Sequence, residues 1–132
     1  MHRLVIQGLV VLGMVLGGAV MAQPKAPANQ LHPDVVNVKV QARGANRFDF
    51  DVTLSSPYDT PQRYADAFRV LHSDGTVLGE RVLWHDHQNE QPFTRDLYGV
   101  VIPAGIKTVT VQGRDQKNGW GGKTMQVALP GR

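Results

Sequence analysis

Apolar and polar residues alternate one by one along most of the chain. Val36, Val38 and Val40 alternate with Asn37, Lys39 and Gln41. Phe48, Phe50, Val52 and Leu54 alternate with Asp49, Asp51, Thr53 and Ser55. Val109 and Val111 alternate with Thr108, Thr110 and Gln112, and Met125, Val127 and Leu129 with Thr124, Gln126 and Ala128. Successive side chains of a strand point to opposite faces, so each run predicts a strand with one buried and one wet face. Strands are expected at residues 35–42, 47–55, 64–72, 76–84, 93–102, 107–114 and 123–129. Turn formers separate them. A Gly and an Asn lie within residues 42–46, followed later by Ser73-Asp74-Gly75-Thr76, Pro103-Ala104-Gly105 and Asn118-Gly119-Trp120-Gly121-Gly122. Asp-Gly tolerates the positive φ angles of a tight hairpin. The best helical segment is one turn at residues 60–64, with Pro61 at its first position. Seven short strands with no helix to cover a sheet predict an all-β fold, a β-sandwich over residues 35–130.

The start of the chain breaks this pattern. Met1-His2-Arg3 is a short basic stretch, an apolar run follows, and Val20-Met21-Ala22 ends it with a small residue. Residues 1–22 therefore read as a signal peptide, and residues 23–34 as an extended leader. The expected location is periplasmic or secreted, with membrane contact only through the signal segment before its cleavage. A lipid-anchoring motif needs a cysteine, and the 132 residues contain none. Disulfides, thiolate nucleophiles and cysteine metal sites are excluded with it. The formal net charge of +3 comes from Lys and Arg interleaved with Asp and Glu. Nucleic-acid binding needs a concentrated basic patch, so no such partner is expected.

The segment Val100-Val101-Ile102-Pro103-Ala104-Gly105-Ile106-Lys107-Thr108-Val109-Thr110-Val111 resembles the passage in fibronectin type III and related bacterial immunoglobulin-like domains where a Pro-Gly turn leads into a Thr-Val-Thr-Val strand. The resemblance implies a seven-stranded immunoglobulin-like (fibronectin type III-like) sandwich. The wider pattern is similar to short secreted bacterial proteins of unknown function. Its marks are His32-Pro33-Asp34-Val35-Val36, Ser56-Pro57-Tyr58-Asp59-Thr60-Pro61, Tyr64-Ala65-Asp66-Ala67, His85-Asp86-His87 and Glu90-Gln91-Pro92-Phe93-Thr94-Arg95. That similarity implies no activity and no catalytic residue.

Candidate chemistry concentrates in Trp84-His85-Asp86-His87-Gln88-Asn89-Glu90. Two histidines at i, i+2 on extended chain point to one side, so His85 and His87 could share Zn²⁺ or Cu²⁺ with Glu90 as helper. The competing expectation is a polar loop held by side-chain hydrogen bonds, with Glu90 pairing to Arg95. His72 would stand about eight residues from His85 along the ladder, or about 26 Å, and is excluded as a third ligand. His32 stays open as a third ligand, since the chain start could fold beside either end of the sandwich; the competing expectation for His32 and His72 is a surface histidine. Trp120, in its glycine-rich segment, is a candidate anchor for a protein or saccharide partner, or else a ring folded over the sandwich end. Trp84 shares the phase of Val82 and is expected in the core, while remaining a candidate contact if it sits at the sandwich end. Tyr58 lies in a proline-stiffened loop of the kind that carries binding sites. Asp49 and Asp51 share the wet face of one strand. Nucleophile-elbow, zincin and phosphate-loop motifs are absent from the sequence. The expected role is a non-catalytic binding or accessory module, not an enzyme, with a periplasmic metal-binding protein as the alternative.

Overall fold

The computed structural model describes residues 29–132; residues 1–22, expected as a signal peptide, and residues 23–28 of the expected leader lie outside them. Among the described residues the chain forms β1 (Asp34–Gly44), β2 (Arg47–Ser55), β3 (Ala65–Leu71), β4 (Val77–Val82), β5 (Phe93–Val101), β6 (Thr108–Asp115) and β7 (Gly119–Ala128), with no helix. They make two sheets, one ordered β1-β2-β5 and the other β4-β3-β6-β7. Every pairing is antiparallel. The fold is all-β and sandwich-like, as the alternation predicts.

The alternating residues of β2 and β6 explain the core. Phe48, Phe50, Val52 and Leu54 are buried and join Phe68, Val70, Val109 and Val111 in one apolar cluster. Each such side chain contributes about 1.5–3 kcal/mol on leaving water. With no cysteine in the chain, this cluster and the strand ladders hold the sheets together. The first strand differs from expectation. Its ladder with β2 shifts register between Val35 and Asn37. Val35 therefore points inward and is buried, while Val36 is turned out and 43% exposed. Val38 and Val40 return to the inner face.

The turns follow local chemistry. Ala45 and Asn46 both take positive φ, at 53° and 63°. That mirror-image turn matches the twist of the β1–β2 hairpin. Ala67↔Val82, Arg69↔Glu80 and Val70↔Gly79 set the β3–β4 register, and a bulge near Leu71 shifts the last pair by one residue. At the hairpin tip His72 is half-buried, with Nδ1 3.1 Å from the Asp74 carboxylate. The expected helical turn at 60–64 is instead a tight turn closed by a Thr60–Arg63 bridge.

The glycines near residue 120 also depart from expectation. They belong to β7, which begins at Gly119 and not at residue 123. The chain before β1 lies directly on Gly121 and Gly122, and on Gly113 of the neighbouring β6. A Cβ at Gly113 would come within 2.7 Å of Pro33 Cγ, and one at Gly121 within 2.7 Å of the His32 ring. A Cβ at Gly122 would collide with the Pro33 carbonyl oxygen. His32 is therefore half-buried, not a surface histidine, and its Nδ1 lies 3.0 Å from the Gly119 carbonyl oxygen.

Candidate functional site

Strand β4 stops at Val82, and residues 83–92 form the loop that leads to β5. Leu83 turns inward; it is buried, and its N–H donates to the Asp66 carbonyl at 2.8 Å. The next residue must then turn outward. Trp84 is 82% exposed, not a core residue. Its alternation with Val82 is correct, but Val82 is itself 39% exposed on the outer face of its sheet. Shared phase with an apolar residue gave the wrong face because that residue also faces water.

The rest of the loop is fixed by buried polar contacts. The Asp59 carboxylate accepts the Ala65 N–H through Oδ1 at 3.1 Å and the His87 N–H through Oδ2 at 3.0 Å. Gln91 Oε1 accepts the Ser56 N–H at 2.7 Å, and its Nε2 donates to the His87 carbonyl at 3.0 Å. The His87 ring stacks on Phe93, with centroids 3.9 Å apart and planes 8° off parallel. The 56–63 and 83–92 loops thus share one base. Burial raises the pKa of Asp59 above the ordinary value, against the pull of its backbone donors. Burial also lowers that of His87, assisted by the nearby Arg95 and His85 charges, which favours neutral imidazole. His87 Nδ1 and Asp59 Oδ2 are 4.0 Å apart, beyond hydrogen-bond length.

The three metal candidates separate into different roles. His85 is exposed, and its ring centroid is 4.9 Å from that of the buried His87. His85 Nδ1 lies 2.9 Å from the Asp86 carbonyl oxygen. Glu90 is engaged by Arg95 at 3.0 and 3.2 Å, which is the pairing the sequence suggests. That hydrogen bond holds the Glu90 carboxyl below its ordinary pKa. A shallow cleft of about 230 Å³ runs past His85, His87, Glu90 and Arg95. Among the described residues no three His, Cys, Asp or Glu side chains converge as a metal site.

The remaining candidates lie elsewhere. Tyr58 is half-buried under the Arg63 guanidinium, 3.9 Å from its ring centroid. Its hydroxyl is buried, makes no hydrogen bond of good geometry and faces the Asp115 carboxylate electrostatically. Burial, then Asp115, pushes the Tyr58 pKa far above the usual phenol range. Burial also pushes Asp115 up. The Tyr58 hydroxyl, the Asn118 and Lys117 N–H groups and Arg63 outweigh it and hold the carboxyl below its ordinary pKa.

Trp120 stands in β7 and not in a loop. It is half-buried, with the Arg69 guanidinium 4.0 Å and the Arg114 guanidinium 5.7 Å from its ring centroid. Val82, Ala67, Arg114 and Trp120 form one cross-strand row. Trp120 is thus three strand spacings from the end of β4, about 14 Å away, and is not brought beside Trp84.

Sequence reasoning missed Asp59, whose burial between the two loops has no periodic signature. It also missed Tyr98, 60% exposed on the outer face of β5. The only available signal for Asp59 was its place in a short loop bracketed by Pro57 and Pro61.

No family model matches the chain, and no solved structure matches it. The chain is similar to a protein of Halomicrobium mukohataei described as "Putative lipoprotein", 39% identical over 94 residues. The match covers 71% of this chain and 46% of that protein, so the chain spans about half the length of the curated relative.

Proposed function

We propose that the protein is a non-catalytic binding or accessory module of the cell envelope or exterior, and that it meets its partner through the 83–92 loop with Trp84 foremost. The observation that carries this reading is an indole left 82% exposed in a loop whose His87 and Gln91 are held by buried polar contacts. A large rigid ring offers contact area at low conformational cost, and a fixed base removes most of the ordering entropy of binding. The Asp59–His87 pair points into the fold, where it serves the loop and not a substrate. The envelope location draws support from the basic-apolar start of the chain and from the name of the Halomicrobium mukohataei relative.

The sandwich is read as fibronectin type III-like. In constant-type immunoglobulin domains the fourth strand joins the sheet of the first. Here β4 pairs with β3, which supports the fibronectin version.

The test is co-sedimentation of the full chain with purified envelope from the organism that encodes it. Trp84→Ala is expected to lower the bound fraction about tenfold with an unchanged melting temperature. Equal binding by both proteins, or none by either, overturns the reading.

A further inference from the structure

The outer face of the β1-β2-β5 sheet carries a second, different surface. A polar hollow of about 370 Å³ lies among Lys39, Gln41, Arg43, Asp49, Asp51 and Tyr98. A smaller one, about 190 Å³, continues it past Lys39 and Asp51 toward Asn37, Thr53 and Thr94. The two form a trough along the strands. Lys39↔Asp51↔Asp96 and Asn37↔Thr53↔Thr94 are cross-strand rows of its floor. From residue 37 to residue 41 it extends about 13 Å.

One irregularity shapes its end. The β2–β5 ladder slips between Phe48 and Phe50, so Tyr98 and Gly99 together oppose Asp49. Such bulges re-aim side chains. Gly99 takes φ 69°, and its N–H donates to Asp49 Oδ1 at 2.8 Å. Arg43 Nε holds the other oxygen at 2.6 Å. These contacts hold the Asp49 carboxyl below its ordinary pKa and fix one wall, with the Tyr98 ring standing free beside it, 60% exposed. Among the described residues, no hydrogen bond or ion pair engages the side chains of Lys39, Gln41 or Asp51. Their donors and acceptors are unspent, yet they project from paired strands and not from loops.

We propose that this trough binds a neutral oligosaccharide, with one pyranose ring stacked on Tyr98 and its hydroxyls hydrogen-bonded to Gln41, Asp51 and Lys39. A pyranose presents C–H groups on its face and hydroxyls at its edge, each able to donate and accept. An aromatic platform ringed by both donors and acceptors complements that arrangement. A protein partner would need an apolar interface core, and Tyr98 is the single aromatic of the trough. An anionic ligand would meet Asp51 beside Lys39, while the Arg43 cation is already paired with Asp49. The site is separate from the Trp84 loop and stands independently of the function proposed there.

The test is affinity electrophoresis of the full chain through gels containing dextran, galactomannan, a soluble β-glucan or, as the anionic comparison, polygalacturonate. At least one neutral polysaccharide is expected to retard the chain, with a dissociation constant of about 10 μM to 1 mM. Tyr98→Ala is expected to weaken that retardation about tenfold, Tyr98→Phe to preserve it within about threefold, and Trp84→Ala to leave it unchanged. Equal melting temperatures establish that the variants fold. Three results overturn the proposal: no retardation by any neutral member, retardation undiminished in Tyr98→Ala, or retardation by polygalacturonate as strong as by the neutral members. A loss confined to Trp84→Ala also overturns it and assigns the saccharide to the loop.

Discussion

Trp84 stands in an apolar run of the sequence and is 82% exposed, while Trp120 stands among glycines and lies half-buried in a strand beside two guanidinium groups. Both departures have local causes. Alternation decides which residues share a face but not which face meets the core, and at the end of β4 the core side passes to Leu83. Glycine can mark a place where no side chain fits, and at Gly121 and Gly122, beside Trp120, that space is taken by His32 and Pro33. A glycine run can therefore be a close-packed strand, and an apolar alternation can end in solvent.

The largest effect is expected where the close packing is tightest. Gly122 has φ 81°. A side chain there combines left-handed strain with collision against the Pro33 carbonyl oxygen. Gly122→Val is expected to lose about 3 kcal/mol or more in urea denaturation. Gly105→Val, where a side chain would meet open space, should lose less than about 0.5 kcal/mol. Equal stabilities for the two variants would mean that the β7 glycines are simply loop glycines.

The corresponding test on the Trp84 side removes the base of the loop. Asp59→Ala leaves the buried Ala65 and His87 N–H groups without their acceptor. The expected loss is about 2–3 kcal/mol, smaller than that of Gly122→Val. Amide exchange at Ala65 and His87 should accelerate with it. Unchanged exchange at both amides would show that the loop is held by its apolar contacts alone.

These two sites also show what the sequence could reveal. The four apolar residues of β2 and the pair in β6 announced the core, because period two is a property of consecutive residues. The Asp74-Gly75 turn announced the β3–β4 pairing for the same reason. Arg95 and Glu90, five residues apart, were legible as a pair. Asp59 and His87 are 28 residues apart and meet only because two loops fold together. His32 reaches Gly119 across 87 residues. The Tyr98 trough depends on a bulge, and one inserted residue alters the face of every residue beyond it. Local chemistry was readable; coincidences of distant backbone were not.

Trp120 should register its packing in a moderate loss. Trp120→Ala removes the ring against which Arg69 lies and is expected to cost about 1–2 kcal/mol, of which the cation–π contact supplies about 0.5–1. A cost below about 0.3 kcal/mol would make Trp120 as free as Trp84 and abolish the contrast.

A titration in the Trp84 loop gives a smaller, signed effect. The folded-state pKa of His87 lies below the ordinary 6.5. Below pH 6.5 the unfolded chain therefore takes up a proton that the folded chain refuses. Stability present above that pH should decline as pH falls through the window between 6.5 and the folded value. Asp59 acts oppositely: its raised pKa weakens the fold as pH rises from 3.8 through its folded value. His87→Gln should flatten the first slope and leave the second. A slope near neutrality that survives His87→Gln assigns the effect to another group.

The smallest change is expected at Trp84 itself. Its ring has given up little water on folding, so Trp84→Ala should shift stability by less than about 0.5 kcal/mol. Fluorescence then separates the two indoles. In Trp120→Phe the remaining Trp84 should emit at long wavelength and be quenched strongly by iodide. In Trp84→Phe the remaining Trp120, shielded by Arg69, should emit further to the blue and be quenched less. A reversed order would return Trp84 to the core and Trp120 to the surface. Near-silent stability at Trp84 combined with lost envelope binding would instead mean that this indole is spent on recognition, because a residue that contributes nothing to the fold leaves its whole surface for a partner.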